Sequence, residues 1–246
     1  MSFRLLQWNS MYNEDPAAIG QFLRSVQPDI VCLQELTRNY LPQYADVGAH
    51  VAETLGYYGF YKYGPMRLPD GGQTLMGDGI FSRFELQERR RIVLQPGLVE
   101  NGQVKRDERL YLGVQVTLPG GQVIAVGTTH LPFHPQFRAS AAKRAMVERI
   151  LAETPTEPYL LAGDFNATPS SWAGRRLRQG LRHAGPALAQ KTWTTKPFAI
   201  GPHHYDQLRW RLDYVLHTTG VKVTKSELLQ TSLSDHLPIL VTFEVA

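Results

Sequence analysis

Residues 158–169 read Pro158-Tyr159-Leu160-Leu161-Ala162-Gly163-Asp164-Phe165-Asn166-Ala167-Thr168-Pro169. A short apolar run bounded by turn residues predicts a buried strand. Its end in a glycine leaves an acid and an amide at the strand tip, facing the crevice where open α/β sheets bind ligands. Alternation along a strand points Asp164 and Asn166 the same way and packs Phe165 on the opposite face. Asp, Asn, Gly, Thr and Pro also favour turns, so the heptad Gly163–Pro169 by itself is equally compatible with a plain turn.

Outward from this stretch, the chain offers strands and helices in the alternation of an α/β protein. Phe3 to Trp8 predicts a buried strand ending at Asn9-Ser10. Asp15-Pro16 supplies an N-cap and first-turn proline for a helix to about Val26, with Ile19, Phe22, Leu23 and Val26 as its apolar stripe. Asp29 to Gln34 is the next strand and ends at Glu35. An amphipathic stretch from Tyr44 to Leu55 is closed by Gly56, and Tyr57 to Tyr63 predicts another strand. Gly64 to Gly79, rich in Gly, Pro and Asp, is expected to be a loop over the active face. Gly79–Arg83, Leu86–Leu94, Leu110–Leu118 and Gln122–Thr129 form a mostly antiparallel series, with a hairpin turn at Pro119-Gly120-Gly121. A helix is expected over Phe137–Leu151 and a shorter one from Ser170 or Ser171 to Leu181, whose Arg175, Arg176, Arg178 and Arg182 suit a solvated face. Strands at Arg211–Leu216, Val221–Leu229 and Pro238–Val245 complete the chain.

Composition narrows the class. The 246 residues suffice for one large α/β domain, and no linker divides them, so residues 1–246 are expected to form a single domain. With 43% hydrophobic and 20% charged residues, the chain is neither disordered nor fibrous. No apolar stretch is long enough to span a membrane, and no basic-then-apolar leader precedes Phe3, so the expected location is the cytoplasm. The lone cysteine, Cys32, lies in an apolar run and reads as a core thiol. A net charge of +4 is compatible with an anionic partner such as nucleic acid, a nucleotide or a phosphorylated lipid. Nothing in the sequence asks for an obligate protein partner.

Six predicted strands, or the turns beside them, end in polar residues: Asn9, Glu35, His130, Asp164 with Asn166, Asp213, and Asp235 with His236. Loops at one edge of a layered sheet converge in space, so the set is expected to form one site. Glu35, Asn9 and Asp235 supply hard oxygen ligands that suit Mg²⁺, with Mn²⁺ also compatible. Asp164 can orient and deprotonate an attacking water while Asn166 holds it. His236, held by Asp213, would carry a proton and stabilise a phosphoryl transition state; His130 is a second donor or the proton source for the leaving oxygen. Tyr12 is expected to line the cleft because its loop leaves directly from Asn9.

The set Trp8-Asn9, Gln34-Glu35, Ser82-Arg83, Thr129-His130-Leu131, Gly163-Asp164-Phe165-Asn166, Arg211-Leu212-Asp213-Tyr214 and Ser234-Asp235-His236 resembles the endonuclease/exonuclease/phosphatase superfamily, in order and over nearly the whole chain. The resemblance implies a deoxyribonuclease-like four-layered α/β sandwich, two packed and largely antiparallel mixed sheets with helices outside. It implies a phosphoester hydrolase that uses a divalent cation. It places Glu35 and Asn9 as metal ligands and Asp235 as an auxiliary one, Asp164 and Asn166 as the water-orienting pair, and Asp213 as the partner of His236. Arg109 is similar to an arginine that deoxyribonuclease-like members place on a substrate phosphate. Trp210 and Leu212 resemble apolar residues with which abasic-site members hold a sugar. His130 itself is similar to the deoxyribonuclease, sphingomyelinase and phosphatase branches. The expected substrate is a phosphodiester of nucleic acid or nucleotides; a phosphomonoester or lipid phosphodiester at the same site, or a non-catalytic binding module, are the alternatives.

Overall fold

The structure, a computed structural model, describes residues 1–156 and 158–245. One large sheet holds β1 (Phe3–Asn9), β2 (Ile30–Leu41), β3 (Tyr44–Asp46), β4 (Tyr58–Arg67), β5 (Gln73–Ser82), β16 (Val221–Leu228) and β17 (Ile239–Val245). Its order is β16-β17-β1-β2-β5-β4, with β3 on the far end of β2. The second holds β6 (Leu86–Gln95), β9 (Arg109–Thr117), β10 (Val123–His130), β11 (Tyr159–Asp164), β12 (Arg182–His183) and β15 (Asp213–His217), in the order β12-β15-β11-β10-β9-β6. Two small hairpins stand outside the sheets: β7 (Leu98–Glu100) with β8 (Gln103–Arg106), and β13 (Phe198–Ile200) with β14 (His203–Tyr205). Within the large sheets the pairs β1–β2 and β10–β11 are parallel and the others antiparallel.

The pleat explains both the layers and the polar strand tips. Phe3 and Leu5 of β1 pack between the sheets with Ile30, Cys32, Ile80, Leu112, Ile124, Val126, Leu160, Ala162 and Val215. Leu6 and Trp8, one residue out of phase, pack on the outer face with Val31, Leu33 and the helix residues Ile19, Leu23 and Val51. The second sheet repeats the pattern, with Tyr159, Leu161, Phe165 and Tyr214 facing Met146, Val147 and Leu177 of its own helices. A one-residue slip would exchange these faces wholesale, and each Leu, Ile or Val moved to solvent would forfeit about 1.5–3 kcal/mol. Register is therefore firmly held, and the side chains that continue the inner rows past the apolar layer are polar. Gln7 and Gln34 exchange amide hydrogen bonds, and Gln34 Nε2 donates across to Thr128 Oγ1 of the other sheet (3.0 Å). Above that belt the same rows end in Asn9, His130, Asp164 and Asp213.

Four helices flank the sheets among the described residues: α1 (Pro16–Val26), α2 (Val47–Leu55), α3 (Ala141–Ala152) and α4 (Trp172–Gly180). Asp15, Asp46, Ser140 and Ser171 cap them by accepting from first-turn backbone N–H groups, and Gly56 leaves α2 in the left-handed region (φ 66°). The helix expected from Phe137 begins only at Ala141, because Pro135–Phe137 forms a separate 3₁₀ turn and Ser140 takes the cap. A larger correction concerns residues 64–79, expected as a loop. β4 and β5 pair through this segment from Gly64↔Met76 to Arg67↔Gln73, leaving only the tip as a turn. Gly77 serves close approach and not a bend: a Cβ there would lie 1.8 Å from Lys62 O. Likewise β2 does not stop at Glu35 but continues to Leu41 through a bulge between Leu33 and Leu36. No described helix is long and apolar enough to cross a membrane.

Candidate active site

Parallel pairing puts the C-terminal ends of β1, β2, β10 and β11 at the same edge of the sandwich, and their antiparallel neighbours begin there. Asp164 pairs in register with both His130 and Asp213. Glu35 would face the helices by simple alternation. The bulge inserts it as an extra residue at φ 64°, a conformation that turns its carboxylate to the Asn9 side.

Around Asp164 the hydrogen bonds are dense. Its Oδ1 accepts from Asn166 N (2.8 Å), and its Oδ2 accepts from Asn9 Nδ2 (3.2 Å). Burial pushes its pKa up to about 7; the His236 cation pulls it down, Asp213 raises it, and the two hydrogen bonds pull it down again. Phe165 lies on the opposite face in the helix-side core, as alternation required.

His236 is the proton-bearing imidazole of the site. Desolvation favours its neutral form, but Asp213, Asp235 and Asp164 outweigh that and hold its pKa well above the usual histidine range. Nδ1 donates to Asp213 Oδ2 (2.8 Å), leaving Nε2–H directed at the cleft, 3.7 Å from Asp164 Oδ2 and 4.0 Å from Asp235 Oδ1. Its backbone is stapled to β1: Trp8 Nε1 donates to His236 O (2.9 Å), and Ser234 Oγ accepts from His236 N while donating to Asn9 O (2.7 Å).

His130 stands beside Asp164 at the strand tips and lines the cleft. Burial first, then the positive charges of Arg109, His236 and Lys143, drive its pKa well below the usual value. Its Nε2 lies 3.1 Å from Asn166 Nδ2 and 3.4 Å from Asp164 Oδ2, between the amide and the carboxylate.

The oxygen-rich side of the site comprises Glu35, Asn9 and Asp235. Asn9 Nδ2 donates to Glu35 Oε1 (2.9 Å), Tyr12 N donates to Glu35 Oε2 (3.2 Å), and Trp193 Nε1 donates to Asp235 Oδ2 (2.7 Å). Glu35 is pushed upward by burial and by the facing Asp235. Two carboxylates at one edge, their mutual repulsion incompletely offset by the Asn9 amide N–H, fit a hard dication, while Asn9 Oδ1 accepts from Met11 N (3.1 Å). A second donor group, Asp164, Asp213 and His236, has ligand atoms within 4.8 Å of one another. Within it His236 Nδ1 is already engaged with Asp213 Oδ2 at 2.8 Å.

Arg109 is 8% exposed and lines the cleft, with Nη2 3.9 Å from Asp107 and Nε without a partner among the described residues. Tyr12 lines it as expected. Trp210 does not. It packs behind Trp193 at 5.6 Å between centroids, within a cluster of Phe133, Phe137, Phe198 and Tyr205, because residues 192–193 pair back onto it; Trp193 reaches the cleft in its place. Leu212 is wholly buried. Arg176 pairs with Glu148, and Arg178 donates to the carbonyls of Pro169 and Gly174, so that helix face is structural.

Sequence reasoning missed two residues. Asp78 lies two positions before the inner-face Ile80, 3% exposed; burial raises its pKa to about 7, while Arg109 and the His130 backbone N–H hold it down. Alternation with Ile80 would have found it had 64–79 been read as strand. Lys143 is fully buried on α3, and Nζ donates to Pro132 O (3.0 Å) and Asn166 O (2.6 Å), tying together the loops after β10 and β11. Its spacing from Met146, Val147 and Ile150 is that of a core position, the signal that could have revealed it. Lys143→Met is expected to cost about 1–3 kcal/mol in urea denaturation, since two buried carbonyls lose their donor.

This geometry defines a polar catalytic-type pocket at the strand tips of a two-sheet α/β sandwich. The chain belongs to the Endonuclease/Exonuclease/phosphatase family, which it matches over residues 6–236. Its fold is similar to an endonuclease/exonuclease/phosphatase from Beutenbergia cavernae DSM 12333, with a TM-score of 0.78 and 22% identity over 100% of this chain and 72% of that one. It is similar to the human Nocturnin catalytic domain, solved with a bound sulfate anion (TM-score 0.70, 21% identity, 100% and 95% covered). It is also similar to the mannosyl-6-phosphatase Bt3783 of Bacteroides thetaiotaomicron VPI-5482 (TM-score 0.69, 16% identity, 98% and 99% covered). At these identities the likeness concerns the fold. No curated protein matches in sequence.

Proposed function

We propose that residues 1–246 act as one unit that hydrolyses phosphoester bonds with a divalent cation, Mg²⁺ or Mn²⁺, by in-line attack of water. The observation that carries this is the meeting at one strand edge of Asp164, hydrogen-bonded to Asn166 N and Asn9 Nδ2, with His236 Nε2 3.7 Å from its carboxylate, beside the paired acids Glu35 and Asp235. Glu35, Asn9 and Asp235 would hold the cation, which when bound neutralises charge developing on phosphoryl oxygen.

The chain's own residues supply the rest. Asp164, with a pKa near neutrality, orients a water and takes its proton as the oxygen attacks phosphorus. Asn166, fixed through His130 and Leu131 O, holds the same water or a phosphoryl oxygen. His236 Nε2–H donates to the charge that grows on phosphorus-bound oxygen, with Asp213 keeping the ring charged and oriented. Arg109, which lines the cleft beside this set, brings its guanidinium charge to a phosphate oxygen. The leaving oxygen departs toward the cleft mouth and takes a proton from solvent. Nothing in this arrangement requires a protein nucleophile.

Bis(p-nitrophenyl) phosphate and p-nitrophenyl phosphate are direct tests. Release of nitrophenolate is expected with Mg²⁺ or Mn²⁺ and is expected to stop with a chelator. A rate indifferent to chelation would sink the proposal.

A further inference from the structure

The cleft above these residues has a volume of about 610 Å³, within the range of small-molecule sites. One side is built by the β4–β5 hairpin, which presents Met66, Leu68 and Met76. Phe133, Phe198 and Ile200 form another apolar surface, on a cluster anchored at Trp193, which bridges to both Trp210 and His236. Polar groups collect on the floor.

Cationic side chains are few and mostly engaged. Three arginines and no lysine line the cleft among the described residues. Arg67 pairs with Asp107 at 3.1 Å, and Arg106 Nε donates to Pro96 O at 2.8 Å. Arg109 lines the cleft at its floor, its Nη2 3.9 Å from Asp107. Some basic residues outside the cleft are held in ion pairs, Arg90 with Glu153 and Arg176 with Glu148. The cleft lining itself, with three arginines and no lysine, offers no row of cations for successive phosphates.

Resting on the hydrolase function proposed above, we infer that the substrate is a small phosphoester bearing one planar or apolar group. The phosphate meets Arg109 and the floor, and the organic body lies against the Phe133–Phe198–Ile200 surface. A polynucleotide threaded along a basic groove does not fit this division of charge. Single nucleotides and simple aryl esters share this chemistry, and the assay distinguishes them.

Binding is tested first, independently of turnover, by calorimetry with phenylphosphonate and methylphosphonate in the presence of Mg²⁺. Phenylphosphonate is expected to bind about ten-fold more tightly, as one aromatic contact allows, and this ratio to fall toward one in Phe198→Ala and less in Phe198→Leu. Equal affinities in the wild type would overturn the inference whether or not any ester is hydrolysed. Absence of hydrolysis with the ratio intact would instead count against the proposed reaction. Kinetics then compare phenyl phosphate, nucleoside monophosphates and a single-stranded oligonucleotide at about 50 and 200 mM salt. The small esters, which carry no condensed counterion layer to release, are expected to lose only about a few-fold in kcat/KM through screening. Preference for the oligonucleotide, with a loss of about 10³-fold or more over that salt range, would contradict the inference. A nucleotide preferred over phenyl phosphate identifies a base as the planar body; the reverse identifies an aryl ester.

Discussion

Asp164→Asn is expected to lower kcat on bis(p-nitrophenyl) phosphate by about 10²–10⁴-fold, the range for loss of a positioned general base. The amide keeps the shape and can still accept from Asn166 N through its oxygen, so the fold should survive. It cannot take a proton from water, and it withdraws one of the carboxylates that hold His236 protonated. Thermal melting reports folding, and steady-state kinetics report the chemistry. A variant that melts like the wild type yet keeps more than about a tenth of its kcat would place water activation on another group.

Glu35→Gln is the second large effect. Glu35 is a buried acid facing Asp235, with both oxygens already oriented by Asn9 Nδ2 and Tyr12 N. Removing its charge is expected to raise the Mg²⁺ concentration for half-maximal activity by at least the about 10- to 100-fold that loss of an outer partner costs. The rate at saturating metal should recover in part, in contrast to Asp164→Asn. A titration of activity against free Mg²⁺ in both variants separates the two: one displaces the midpoint, the other lowers the plateau. If Glu35→Gln lowered the plateau alone, the cation would not reside there.

Much of this site was legible because a strand is a two-fold ruler. Asp164 continues the inner row of Leu160 and Ala162 while Phe165 joins the helix-side core, and Asn9 continues the row of Phe3, Leu5 and Gln7; Asn166 lies past the strand end at φ 46°. Two helix starts were equally readable, because Asp15 and Ser171 cap by local chemistry. What escaped depends on contacts far apart in sequence. The bulge that turns Glu35 is set by pairing with β5, and composition does not reveal it. Glycines at 77 and 79 suggested a loop, yet Gly77 is small because Lys62 O lies against it, and that misassignment hid Asp78. Lys143 sits on an apolar helix stripe where a charge is unexpected, and only the folded chain brings the carbonyls of Pro132 and Asn166 to it. Trp193 displaces Trp210 from the cleft through strand-like pairing between two loops, which residue type alone does not encode.

Anomalous diffraction at the manganese edge, from crystals equilibrated with Mn²⁺, tests most directly whether the polar strand tips make one cation-assisted phosphoester site. The expected result is a peak bonded to the carboxylate of Glu35, with Asn9 and Asp235 around it and Asp164 and His236 facing it across the cleft. A saturated crystal with no peak at Glu35, or with its metal held between Asp213 and His236 instead, would contradict the account.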